Sequence, residues 1–199
     1  MTASTFTRRG ALLSLAALAA APAFAHDAHD NPLPAAPVPP DSIYRLDATL
    51  VDQEGRPFAL SSLRGGPVLA SMFYTSCDMV CPMIIETIHA TLRAMPAADR
   101  ARVKVLMASF DPERDTVAVL KKTAQARSAG ANWILARADE ATTRKLAAVL
   151  GIQYRRLSDG EYNHSSVVDV LDASGRIVAR TGKLGEVDPV VLAAVRKIA

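Results

Sequence analysis

Cysteine is scarce in this 199-residue chain: Cys77 and Cys81 are its only two. A single bridge between them would close almost no loop, whereas a structural disulfide gains most from closing a long one. Such close spacing argues for chemistry over stapling. Long apolar runs are missing as well. The one near the start, from Ala11, is too short and too alanine-rich for a membrane span of about 20 residues. A surplus of charge is the third absence. The 23 Lys+Arg against 20 Asp+Glu give +3, and setting aside residues 1–25, which hold Arg8, Arg9 and no acid, lowers this to +1. Nothing suggests a nucleic-acid surface. Internal repeats, coiled-coil heptads and a second linker are also absent, which leaves one domain of ordinary size with enough apolar material for a core.

What is present begins with an export signal. "TFTRRGALLSLAALAAAPAFA" combines Arg8 and Arg9, an apolar run and Ala23-Phe24-Ala25 as a small-x-small cleavage site. "TRRGALL" fits a twin-arginine signal, and an ordinary Sec signal with two arginines in its basic region fits equally. Either way the expected location is periplasmic, with a soluble mature protein if cleavage follows Ala25. Residues 26–40 form a proline-rich, polyproline-like leader. Cleavage after Ala25 would leave His26 as the N-terminus, where amine and imidazole can chelate a copper ion with His29 nearby; a solvated tail is the plainer reading. Residues 41–199 form the domain.

Apolar alternation and helical spacing take turns along it. "YRLDATLVD" and "RPFAL" read as an opening hairpin around "DQEGR". "GPVLASMFY" is a continuous apolar run that ends at the cysteines, as expected of a buried central strand. "CPMIIETIHATLRAM" is a helix with Pro82 in its first turn, where the missing N–H costs nothing. A strand "VKVLMASF", a helix over 111–130 capped near Asp115 and ended by Gly130, a strand "NWILAR" and a helix ended by Gly151 follow. Then come "IQYRRL", a loop "SDGEYNHSS", two strands turning at Ser174-Gly175, and a closing helix from Asp188. The order β-β-β-α-β-α-β-α-β-β-α predicts an α/β fold, a mixed sheet with helices on both faces and an N-terminal β-hairpin. A strand running into a cysteine pair at a helix start is the thioredoxin-like arrangement.

That placement puts Cys77 in the loop before the helix and Cys81 at its mouth, where unpaired N–H groups favour thiolate. Thiolates are nucleophiles and metal ligands alike. Three residues separate the two cysteines, against two in thioredoxin-type oxidoreductases, which opens the loop enough for both sulfurs to face one ion. Two thiolates make a soft site that suits Cu(I), and a third ligand would discriminate. His89 lies within the helix and reads as a surface side chain. His26 and His29 belong to the leader. His164, in a polar loop before a buried strand, is the remaining candidate. Met72 and Met107 read as core filler; Met79 and Met83 read as shields of the site, with a weak extra ligand as the alternative.

Three segments, "FYTSCDMVCP", "SFDPERDTVAVLKK" and "HSSVVDVLDASGRIV", together resemble the Sco/SenC family of copper-delivery proteins, over Tyr44 to Ile198. The resemblance implies a thioredoxin-like fold that binds one copper, as Cu(I) and in some states Cu(II), through Cys77, Cys81 and His164. It implies delivery to, or thiol reduction of, the CuA site of cytochrome c oxidase, hence a copper-receiving enzyme and a thiol reductant as partners. The family commonly carries Asp before the ligand histidine; here it is Asn163. Asp111 matches a family acid and reads equally as a loop or cap carboxylate. The leading expectation is a metallochaperone. The main alternative is a thiol–disulfide oxidoreductase, which uses the redox pair Cys77 and Cys81 but leaves His164 idle. A peroxidase built on Thr75 and Cys77 ranks last, for want of an arginine beside the thiolate.

Overall fold

A computed structural model describes residues 37–199. The signal of residues 1–25, with His26, His29 and the leader through residue 36, lies outside the described residues. Ser42 caps a short 3-10 turn, Ile43–Arg45, by accepting the N–H of Tyr44. Tyr44 thus belongs to a buried turn and not to the opening strand that its alternation suggests. The hairpin that follows pairs β1 (Thr49–Asp52) with β2 (Pro57–Ala59). Asp52 closes its turn by accepting the N–H groups of Glu54 and Arg56, both at 2.9 Å.

The centre of the sheet is β3 (Val68–Phe73), buried at all six positions. It runs into α1 (Val80–Arg93), which carries Cys81 and Pro82 in its first turn. A short α2 (Ala97–Arg102), not foreseen from the sequence, leads to β4 (Lys104–Ser109). Then follow α3 (Val117–Ala126), β5 (Trp133–Arg137) and α4 (Glu140–Val149). A small hairpin pairs β6 (Tyr154–Arg156) with β7 (Tyr162–His164). Strands β8 (Val168–Leu171) and β9 (Ile177–Thr181) and helix α5 (Pro189–Ile198) complete the chain.

Seven strands form one sheet in the order β2-β1-β5-β4-β3-β8-β9, while β6 and β7 stand apart as a sheet of two. Strands β3, β4 and β5 are parallel, and β8 and β1 flank them antiparallel. The crossovers through α1 and α3 step in the same direction along the sheet. Right-handed connection therefore puts both helices on one face. Burial of β3 and of β8 at every position requires cover on the other face too, and α5 packs against β8 and β9. No helix of the described residues is long and apolar enough to cross a membrane.

Two helix ends show how local chemistry and its surroundings divide the work. Helix α4 stops as expected: Gly151 takes a positive φ of 62°, and the N–H of Ile152 reaches the carbonyl of Ala147 at 2.8 Å. Helix α3 stops the same way but earlier than Gly130. Ser128 adopts φ 53° and the N–H of Ala129 bonds to Ala124 at 2.9 Å. The start of α3 also differs from the sequence expectation. Thr116 is the cap, accepting from the N–H of Val119, and Asp115 turns inward.

Candidate metal centre

The sulfurs of Cys77 and Cys81 and a ring nitrogen of His164 all lie within 4.8 Å of one another. They are the one group of three or more His, Cys, Asp or Glu ligands so arranged among the described residues. Cys77 and Cys81 are 8% and 2% exposed, and both thiols are free. Cys77 sits in the loop that leaves β3. Its sulfur accepts the N–H of Cys81 at 3.4 Å across the open first turn of α1. Burial works against the Cys77 thiolate. The N–H groups of Cys81 and Met79 outweigh it, and the thiol lies below its ordinary value. Burial dominates at Cys81 and pushes that thiol well up, with the neighbouring Cys77 charge acting in the same sense. The first proton therefore leaves Cys77.

His164 arrives from the other sheet. It ends β7, opposite Tyr154, so the segment read as a loop contains a strand. The period of two explains what a loop assignment obscured: Tyr162 and His164 share one face of the hairpin while Asn163 points to the other and is exposed. Asn163 faces Arg155 across the ladder, away from the sulfurs. Its departure from the family's Asp therefore does not remove a carboxylate from the metal side. Nδ1 of His164 contacts the carbonyl oxygen of Ser165 at 3.1 Å. A carbonyl only accepts, so Nδ1 carries the proton in this contact and Nε2 keeps its lone pair for an ion.

An aromatic cluster holds the imidazole. Phe110 lies 4.8 Å from its centroid, and Tyr74 meets it edge-on at 6.0 Å. Tyr162 packs on both, and Tyr154 stacks on Phe110 at 5.2 Å. These four rings are absent from a residue-by-residue search for ligands, and only the Tyr162-His164 alternation could have pointed to one of them.

The loop from β4 to α3 ties the two halves together. Asp115, buried, accepts the backbone N–H of Thr75 at 3.1 Å, the Thr75 hydroxyl and the Ser109 hydroxyl. It fixes the strand end two residues before Cys77. Burial pushes the Asp115 carboxyl up against these hydrogen bonds. Asp111, also buried, pairs with Arg114, whose guanidinium also donates to the carbonyl of Gly160 at 2.6 Å and lies 5.8 Å over the Tyr162 ring. Asp111 is thus an internal anchor of the histidine hairpin. Tyr74 adds a further tie, its hydroxyl donating to Glu161 at 2.7 Å.

The other sequence candidates fall elsewhere. His89 stacks on Trp133 at 4.5 Å, with Nε2 near the Arg127 carbonyl at 2.9 Å. Met72 and Met107 are core, as read. Met79 and Met83 stand 73% and 41% exposed. Lys122 and Arg127, neither singled out from sequence, line the same pocket as Thr75, Cys77 and Cys81.

The fold is a thioredoxin-like domain, and the donor set makes a soft, three-donor candidate metal centre at the junction of a central strand and its helix. Two sulfurs and one imidazole nitrogen match Cu(I) in softness and number. The chain belongs to the SCO1/SenC family, whose profile matches residues 41–199. It is 36% identical over 77 residues to a SCO1 protein homolog of Bacillus subtilis, a stretch that is 38% of this chain and 39% of that one. It is also similar to the solved structure of Bradyrhizobium japonicum ScoI with copper bound, at TM-score 0.64 and 29% identity over 76% of this chain and 96% of that one. The apo Sco1 of Thermus thermophilus matches at 0.59 and 26%, covering 77% and 87%.

Proposed function

We propose that the protein is an exported, periplasmic metallochaperone that binds one Cu(I) through Cys77, Cys81 and His164 and passes it to the CuA site of cytochrome c oxidase. The observation that carries this is the convergence of two thiols and one imidazole nitrogen within 4.8 Å, from elements 83 residues apart in sequence at their closest, Cys81 and His164. A dithiol used only for exchange has no need of the histidine. A charge-neutral fourth ligand is not required, because Cu(I) accepts soft low-coordinate sites. Deprotonation starts at Cys77, and ion binding drives loss of the second proton from Cys81. His164 enters on a hairpin held by side chains and so can be withdrawn during transfer.

Exchange with a partner's disulfide, which takes up the two electrons and is released as two thiols, joins Cys77 to Cys81, removes both thiolate ligands at once and releases the ion. The asymmetry of the pair, one thiol lowered and one raised, also supports a second activity, thiol–disulfide exchange with a partner's cysteines before they are metallated.

Anaerobic titration of the reduced protein against a Cu(I) chelator tests the proposal. One Cu(I) per chain is expected. Cys77→Ser should weaken it by more than about 100-fold, beyond what outer-shell changes cause, and His164→Ala by about 10- to 100-fold. Unchanged affinity in His164→Ala would refute the three-ligand site and leave a redox dithiol.

A further inference from the structure

Cys77 and Cys81 also line a pocket to which His164 does not contribute. This pocket, of about 320 Å³, lies between the start of α1 and the middle of α3. Its floor is the end of β3, where Phe73, Tyr74 and Thr75 meet the two cysteines. Pro82 and Ile85 form one wall, and Lys122, Ala126 and Arg127 the other. No Asp or Glu lines it. Lys122 and Arg127 have no carboxylate partner among the described residues, whereas the adjacent Lys121 is paired with Glu54 at 2.6 Å. Two unneutralised cations lining one pocket attract an anion, and the volume suits a small molecule, not a folded partner.

From this geometry we propose that the groove between α1 and α3 takes a small anionic thiol, which reduces the Cys77–Cys81 disulfide and so returns the protein to its copper-binding form. The inference rests on the pair being exchangeable, as set out above. The ligand's carboxylate or sulfonate sits on Lys122 and Arg127 with its sulfur directed at Cys77, the more exposed of the two. Its thiolate attacks the Cys77 sulfur, forming a mixed disulfide and releasing Cys81 as thiolate. A second thiolate attacks the ligand's own sulfur in that mixed disulfide and releases Cys77. Two thiols become one small disulfide, and two electrons pass to the cysteines, which take up protons or copper.

The test uses oxidised protein and stopped-flow reduction by 3-mercaptopropionate, an anionic thiol, and 2-mercaptoethanol, a neutral one, compared per unit thiolate. Wild type should favour the anionic thiol by about tenfold, the order expected for two partly exposed charges, and should lose the preference as salt rises. Lys122→Gln/Arg127→Gln should abolish the preference without altering the 2-mercaptoethanol rate or the Cu(I) affinity. Arg93→Gln/Lys121→Gln, which removes equal charge outside the groove, should keep it. Equal preference in wild type and the groove variant, or no preference in wild type, would overturn the groove as a thiol site. Failure of both thiols to reduce the protein would overturn the exchangeable pair itself, while the Cu(I) titration judges the metal centre separately.

Discussion

The two halves of the metal centre are built to different standards. The cysteine half grows from β3, buried along its whole length and hydrogen-bonded to strands on both sides. The histidine half is a hairpin of three-residue strands outside the main sheet, with no residue fully buried in either strand. Its position depends on side chains: Arg114 to Gly160, Tyr74 to Glu161, and the ring cluster around Phe110. Backbone ladders are cooperative and resist local opening, whereas side-chain ties can be released singly. The proposed copper carrier would have use for both: a fixed dithiolate that retains the ion and a third ligand that can let go.

If this contrast is right, damage to the anchors should fall differently on the two halves. Asp115→Ala should have the largest effect, because it strands the buried Thr75 N–H and the Ser109 hydroxyl beneath the cysteine loop. A loss of about 2–4 kcal/mol is expected, at roughly 1–2 kcal/mol for each of the two orphaned groups. Thermal unfolding of the apo protein should show it as a fall of about 4–16 °C at 2–4 °C per kcal/mol. Arg114→Ala should come next. It leaves the Asp111 carboxylate buried without its cation and frees the hairpin, so Cu(I) affinity should fall by about 10- to 100-fold, as for outer-shell losses. Competition with a Cu(I) chelator measures this, and an unchanged affinity would mean that His164 needs no bracket.

Tyr74→Phe removes the hydrogen bond to Glu161, worth about 1 kcal/mol. Hydrogen exchange should quicken at the hairpin amides of Leu157 and Ser165, which bond to the Glu161 and Gln153 carbonyls, and stay unaltered at Leu69 and Leu106 in the central strands. Equal acceleration in both places would erase the distinction between the halves.

Acid should produce the gentlest change, and on the main sheet. Asp52 and Asp172 are held below the usual carboxylate range. Burial opposes this, but turn N–H groups and, at Asp172, the Ser174 hydroxyl outweigh it. Asp188 is lowered by the Thr181 hydroxyl and the Val190 N–H. Because their folded values lie below the unfolded value of about 3.9, their contribution is complete above that pH. It is lost as pH falls through the folded values. Asp115 and Asp169, both raised by burial, run the other way and offset part of the loss. Melting temperature should therefore hold from neutrality to about pH 4–5 and decline below it, which a pH series of melts would check.

Comparison of expectation with structure divides along physical lines. The parallel strands were legible as apolar runs, α4 by its closing Gly151 and α5 by its start at Asp188, because a helix end or a buried strand is written in adjacent residues. The two cysteines were legible from their spacing and from the proline beside them. His164 could be named from the family's motif, while its strand was missed because β6 and β7 are too short and too polar to show a pattern. Asp115 was misread as a cap because nothing local distinguishes a carboxylate that turns outward to its own helix from one that turns inward to Thr75, 40 residues away.

The sequence by itself determined the order of elements, the helix mouth that favours a thiolate at Cys77, and the donor types available to a metal. Tertiary structure alone decided that the three donors meet, that aromatic rings and the Asp111–Arg114 pair hold the imidazole, and that Lys122 and Arg127 share a pocket with the two cysteines. The physical reason is range. Periodicity, capping and composition act through neighbours along the chain, but a metal centre is a coincidence of distant segments, set only when packing closes the sheet and brings the hairpin against it.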